Sequence, residues 1–256
     1  MSLLYTQVAS QRRKYDRDAR AYLAATGASQ RDEIDAWVKG IKALSLWDGM
    51  ICWPLRSTQN HGTGTTARSL GGLGNYPGTL VNGPTWGADG LLVTHGSNQA
   101  VTVSVPFAAP VSTMLVAKKD LLAGSFGSSS VFAGSSINIP RHVIIATRAV
   151  SWRSAWTSSG QGYTYSQGAY NAFFGYGTVG TQRGRLNGAT ANSWASTSTV
   201  SAPTGSFTRV LGFDTMTGVS GTINGAMTAF FIGPDIDTVA VYNLYKDTLG
   251  KGLGLP

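Results

Sequence analysis

The chain has 256 residues, of which 42% are hydrophobic and only 12% charged, with 33 glycines and a formal net charge of +8. Length and apolar content suffice for a substantial core and exclude a disordered chain. The positive charge is spread thinly, with one contiguous basic run at Arg12-Arg13-Lys14; a nucleic-acid footprint needs clustering as well as a total, so nucleic acid is not an expected partner. No run approaches membrane-spanning length, and Met1–Thr6 passes into polar residues without the apolar stretch of a secretory leader. Few charges and many glycines suit short strands joined by turns.

Residues 1–48 differ from the rest. Nine of the twenty basic residues and six of the twelve acidic ones fall in the first 56 positions, including the only glutamate, Glu33. A helix is predicted over Tyr15–Thr26, closed by Gly27 in a left-handed cap. Ser29 is placed to cap a second helix, with Asp32 in the capping-box position. Ile34, Trp37, Val38, Ile41 and Leu44 then form one apolar stripe at helical spacing. The segment reads as a helical arm whose apolar face either packs on its own domain or docks on a neighbouring subunit. Arg12, Arg13, Lys14, Tyr22 and Trp37 are its candidate assembly contacts.

From residue 49 to 256 the pattern is β. Strands are predicted at Met50–Leu55, Gly78–Val81, Leu91–Val93, Ala100–Val105, Ser112–Lys118, Ser130–Ala133 and His142–Val150. Further strands are predicted at Tyr163–Ser166, Ala169–Gly175, Thr181–Leu186, Ala189–Trp194, Phe207–Phe213, Thr222–Ile223 and Ala229–Ile232. Asn82-Gly83, Asn187-Gly188 and Asn224-Gly225 mark turns, and Gly62–Gly78 reads as an exposed loop. The single cysteine, Cys52, lies in an apolar run and is expected to be buried. After Gly233-Pro234, Asp235 or Asp237 is placed to cap a short closing helix carrying Val241, Leu244, Tyr245, Thr248 and Leu249 on one face. The fold expected is mainly β: an antiparallel two-sheet sandwich with an N-terminal helical arm and a short C-terminal helix.

Catalytic patterns are missing. The β region has no glutamate, and Asp89, Asp120, Asp214, Asp235, Asp237 and Asp247 fall at predicted turns or helix ends. His61, His95 and His142 stand apart from other metal-ligating types, and the Gly62–Gly74 glycines lack the helix and lysine of a phosphate cradle. Asp235-Ile236-Asp237 has calcium-type oxygens, but helix capping explains it more simply. No catalytic, cofactor or metal residue is therefore assigned. What remains is binding surface. Trp152, Trp156, Tyr163, Tyr165 and Tyr170 are interleaved with Gly, Ser, Asn and Gln, and aromatic faces beside amides and hydroxyls suit sugar rings. These five are candidate glycan-binding residues; the competing reading is that they fill the space between two sheets.

Gly78-Thr79-Leu80-Val81-Asn82-Gly83-Pro84-Thr85-Trp86, then Asp89-Gly90-Leu91, then Gly96-Ser97-Asn98-Gln99, resembles the opening of the concanavalin A-like (laminin-G-like) jelly-roll domain. The likeness covers roughly residues 50–105 and implies a jelly-roll sandwich. Thr94–Gln99 replaces the acidic version of that family's motif, so its calcium site is not matched. The superfamily includes glucanases, which carry closely spaced Glu and Asp on one strand; that pair has no counterpart here, and a hydrolase is not expected.

A second resemblance sits in the arm. Ile34, Trp37, Val38, Gly40, Ile41, Lys42, Leu46, Trp47 and Met50 match a segment that recurs in virion proteins of tailed bacteriophages. It implies a non-enzymatic virion structural protein, in capsid decoration, a head fibre or tail adhesion, assembled in the host cytoplasm. Its partners would be other virion proteins, copies of itself and host-surface glycans. The alternative is a free carbohydrate-binding, lectin-type module.

Overall fold

All nine residues of the strand Gly225–Gly233 are buried, so the sheet that holds it must be covered on both faces. The computed structural model describes residues 14–94, 99–103, 105–106, 111–119, 130–133, 141–146, 150–155, 161–164, 168–178, 181–189, 192–195, 206–207, 211–212, 225–234, 236 and 238–256. The sheet has eight antiparallel strands. Its order is Asn192–Ala195, Thr181–Leu186, Tyr170–Thr178, Val111–Lys119, Gly225–Gly233, Gly90–Val93 and Thr85–Gly87. The eighth, Ile51–Pro54, shares an edge of the central strand with Gly90–Val93: the former pairs with residues 229–232, the latter with 225–227.

A second antiparallel sheet runs Leu211–Gly212, Ala100–Thr102, Gly78–Val81, Thr66–Ala67. A further ladder joins Gln161–Thr164, Val150–Ala155, Arg141–Ala146 and Ser130–Ala133, and Ser206–Phe207 pairs with Val105–Pro106. The chain is thus a mainly β sandwich with helices at both ends.

Period-two alternation divides the large sheet's side chains between two cores. Trp53, Leu115, Phe173 and Phe230 point between the sheets, where they meet Leu80 and Val101 of the second sheet. Trp53 stacks on Phe230 with ring centroids 6.0 Å apart. Their neighbours Cys52, Val116, Phe174 and Phe231 face the other way, into a core shared with the helices.

Three helices, Arg17–Thr26, Arg31–Ala43 and Val239–Asp247, cover that outer face. Trp37 is fully buried, 5.2 Å from the Phe231 ring and 6.1 Å from Tyr245, and Tyr245 itself meets Phe231 edge-on at 5.4 Å. A Cβ on Gly40 would lie 2.3 Å from a Leu244 methyl, so a larger residue there would force the Leu244 side chain of the closing helix to move. The apolar stripe therefore packs on the chain's own sandwich.

Several boundaries move, each for a local reason. Gly27 closes the first helix as expected, at φ 69°. Ser29 does not cap the second; its N–H and hydroxyl go to the Thr58 carbonyl, and Gln30 takes the cap position without a side-chain bond. Leu44 falls past the helix end and is exposed. Thr238, rather than an aspartate, caps the closing helix, its hydroxyl accepting the Val241 N–H at 3.1 Å. Gly62–Gly78 is not all exposed loop: Thr66–Ala67 pairs with Gly78–Thr79, and Ala67 and Leu70 are buried. Val150 opens a strand of its own instead of ending the one before. Ala100–Val105 and Phe207–Phe213 each divide between two ladders, and Thr222–Ile223 lies outside the described residues.

Trp37→Ala removes the ring that meets both the central strand and the closing helix and should lower unfolding free energy by about 3–5 kcal/mol, read as the shift in urea midpoint. A loss under about 1 kcal/mol would show that the helices contribute little to the core.

Candidate functional site

A cleft of about 560 Å³ opens between the first helix, the turn Trp47–Gly49 and the segment 68–75. Its walls are built by buried polar residues behind them. Asn60, 1% exposed, uses its whole amide: Nδ2 donates to the carbonyls of Pro54 and Arg68, and Oδ1 accepts the N–H groups of His61 and Arg68. That clamp fixes the Arg68 backbone. Arg68 Nε then donates to His61 Nε2 at 3.2 Å, and Arg68 lines the cleft.

Opposite, the half-buried Trp47 presents its indole. Its carbonyl accepts the Gly72 N–H at 2.9 Å, and a side chain at Gly72 would collide with the ring edge. Lys42 sits over the ring at 5.1 Å and pairs with Asp16 at 2.8 Å and Asp18 at 2.6 Å. Burial opposes the charge on Asp16, but hydrogen bonds from Lys42 and the Asp18 N–H outweigh it and hold the carboxyl below its ordinary range. The first helix is thus held at a set distance from Trp47. Among the described residues, no ion pair engages Arg17, Asp48 or Arg68, all three of which line the cleft.

Most residues singled out from the sequence lie elsewhere. Tyr170 is 7% exposed, packs in the helix-side core and carries Lys118 over its ring at 5.5 Å, so it cannot be a glycan platform. Trp152 and Tyr163 are register partners on neighbouring strands. Trp156 and Tyr165 lie outside the described residues, as do Arg12 and Arg13. Lys14 pairs with Asp32 at 3.0 Å within the chain. Trp37 is a core residue with no exposed face, and Tyr22, 6% exposed with its hydroxyl donating to the Gln59 carbonyl at 2.9 Å, reaches the surface only as part of the cleft lining. The amphipathic spacing that suggested docking is the same spacing that intrachain packing requires.

The cleft itself was not legible. Trp47 reads as a helix terminator and residues 62–78 as a loop; the one signal in sequence is the polar set Arg68, Ser69 and Asn75 beside those glycines. Among the described residues, no group of three His, Cys, Asp or Glu is placed to hold a metal ion. Burial pushes the Cys52 thiol far above its ordinary range, with the Trp37 indole and Leu70 backbone only partly offsetting it.

No protein-family model matches the chain, and no curated protein is similar to it in sequence. Solved structures are similar in fold. A sialidase of Trypanosoma rangeli in complex with sialic acid superposes with TM-score 0.56 at 9% identity, over 86% of this chain and 39% of the sialidase. A structure described under the cell entry of botulinum neurotoxin type C, dependent on two ganglioside molecules, gives TM-score 0.51 at 12% identity, over 80% of this chain and 52% of that one. The chain therefore spans well under half of the sialidase it resembles. At these identities the likeness establishes the β-sandwich fold and nothing finer.

A buried thiol of raised pKa is inert. Native protein should leave Cys52 unlabelled by an aromatic disulfide reagent on the timescale in which urea-unfolded protein reacts completely. Rapid labelling of the native state would place the side chain at the surface.

Proposed function

We propose that the chain is a non-enzymatic structural component of a tailed-bacteriophage virion, acting in capsid decoration, as a head fibre or in tail adhesion. The observation that carries this reading is what the phage-like segment does in the fold. Of its nine matching residues, Ile34, Trp37, Val38, Ile41 and Met50 are fully buried, Gly40 packs against Leu244 of the closing helix, and Lys42 ties the first helix to Trp47. In this chain the residues of that pattern mount a helix pair on a β-sandwich, which is more than an amphipathic helix alone requires. A low charge content and a lone buried cysteine agree with assembly in a reducing cytoplasm. The partners on this reading are other virion proteins and copies of this chain.

A carbohydrate-binding module is the second reading. It is favoured by the sandwich neighbours named for sialic acid and ganglioside interaction, and by a polar cleft walled by an indole. The two readings separate cleanly. Mass spectrometry of purified particles from a producing culture should find peptides of this chain at a fixed ratio to the major capsid protein. Abundant protein in the lysate with none on particles would overturn the virion reading.

A further inference from the structure

The cleft beside Trp47 combines an aromatic residue with charged and amide side chains of both hydrogen-bonding senses. We infer that it is a binding site for a pyranose ring, held by Arg17, Trp47, Asp48, Arg68 and Asn75. The inference rests on the carbohydrate reading above and gives it an address.

A pyranose offers two chemistries at once. Its C–H face is apolar and lies against an aromatic ring, while its vicinal hydroxyls both donate and accept. The cleft supplies both. Of the lining residues, Trp47, one face of whose ring lies under Lys42, is the aromatic one, Asp48 is an acceptor, and Arg17, Arg68 and Asn75 carry donors. Charges of both signs are present. A site for a phosphate or a metal would be lined by one sign; mixed donors and acceptors in a small space match neutral hydroxyls.

The volume fits as well. About 560 Å³ lies within the range of small-molecule pockets and accommodates one or two sugar rings. The walls are fixed before any ligand arrives. Asn60 clamps the Arg68 backbone, His61 holds its Nε, Lys42 pins the first helix through Asp16 and Asp18, and the Trp47 carbonyl holds Gly72. A ligand therefore meets a preorganised site and little ordering opposes its binding.

Saturation-transfer NMR and calorimetry with methyl glucoside, methyl galactoside and methyl mannoside test the assignment. At least one should bind, and the full-length Asp48→Ala and Arg68→Ala variants should each weaken it about tenfold or more. Arg17→Ala, at an exposed helix position, is the companion variant that cannot be dismissed as misfolded. Binding that survives all three changes would overturn the cleft while leaving a carbohydrate role elsewhere on the sandwich. Absence of binding by any pyranoside would overturn both. Particle composition, measured separately, is untouched by either result.

Discussion

The Trp37 ring is the point on which three parts of the chain converge. Phe231 belongs to the central strand, Trp37 to the second helix and Tyr245 to the closing helix, and the three rings pack within 5.2–6.1 Å of one another. Tilted and edge-on contacts of this kind add to what burial alone contributes. The requirement behind them is simple. Ala226, Ala229 and Phe231 on the outer face of the central strand would stand in water without the helices, and an eight-stranded sheet with one apolar face exposed is a surface for aggregation. The helical segment is a lid on the sandwich's second face.

Apolar contact sets the helices down, and buried hydrogen bonds orient them. Arg56, 8% exposed, donates to the carbonyls of Ala88, Leu249 and Lys251. Two of those lie just beyond the closing helix, where the backbone's negative end favours a cation. Gln59 is fully buried and donates to Gln30 Oε1 and to the Leu249 carbonyl, and its own carbonyl receives the Tyr22 hydroxyl. Asn60 adds the clamp on Arg68. Residues 56–60 thus bind both N-terminal helices, the C-terminal segment and the second sheet into one network. Gln59 Oε1 is buried without a hydrogen-bond partner, so the orientation of this network rests on its donors. The cleft is a consequence: it is the gap left where the first helix is held off the 68–75 segment.

How much of this was readable in sequence depends on where the signal is local. The strands Gly78–Val81, Ser130–Ala133 and Thr181–Leu186, the Gly27 cap and the Asn82 and Asn187 turns depend on a few adjacent residues, and all appear where their sequence places them. The continuous apolar run Ala229–Ile232 was legible as a strand, but the reason for its lack of alternation, burial on both faces, belongs to tertiary structure. Ser29 looked like a cap because its competitor for hydrogen bonding, the Thr58 carbonyl, is 29 residues away. Tyr170 looked like a binding aromatic for the same reason: period two places it on a face without saying which face is covered. The cleft depends on Arg17, Trp47 and Arg68 meeting across long separations, and no local pattern encodes that.

The helical segment thus supports the sandwich from its outer face, and the cleft lies where that segment meets residues 68–75. The central physical claim is that the helical segment and the sandwich form one cooperative unit. Native-state hydrogen exchange tests it most directly. Amides of residues 34–41 should exchange with the same opening free energy, and the same denaturant dependence, as those of residues 226–232. Helix amides that open several kcal/mol below the central strand, through a lower-energy step that leaves the sheet protected, would contradict it.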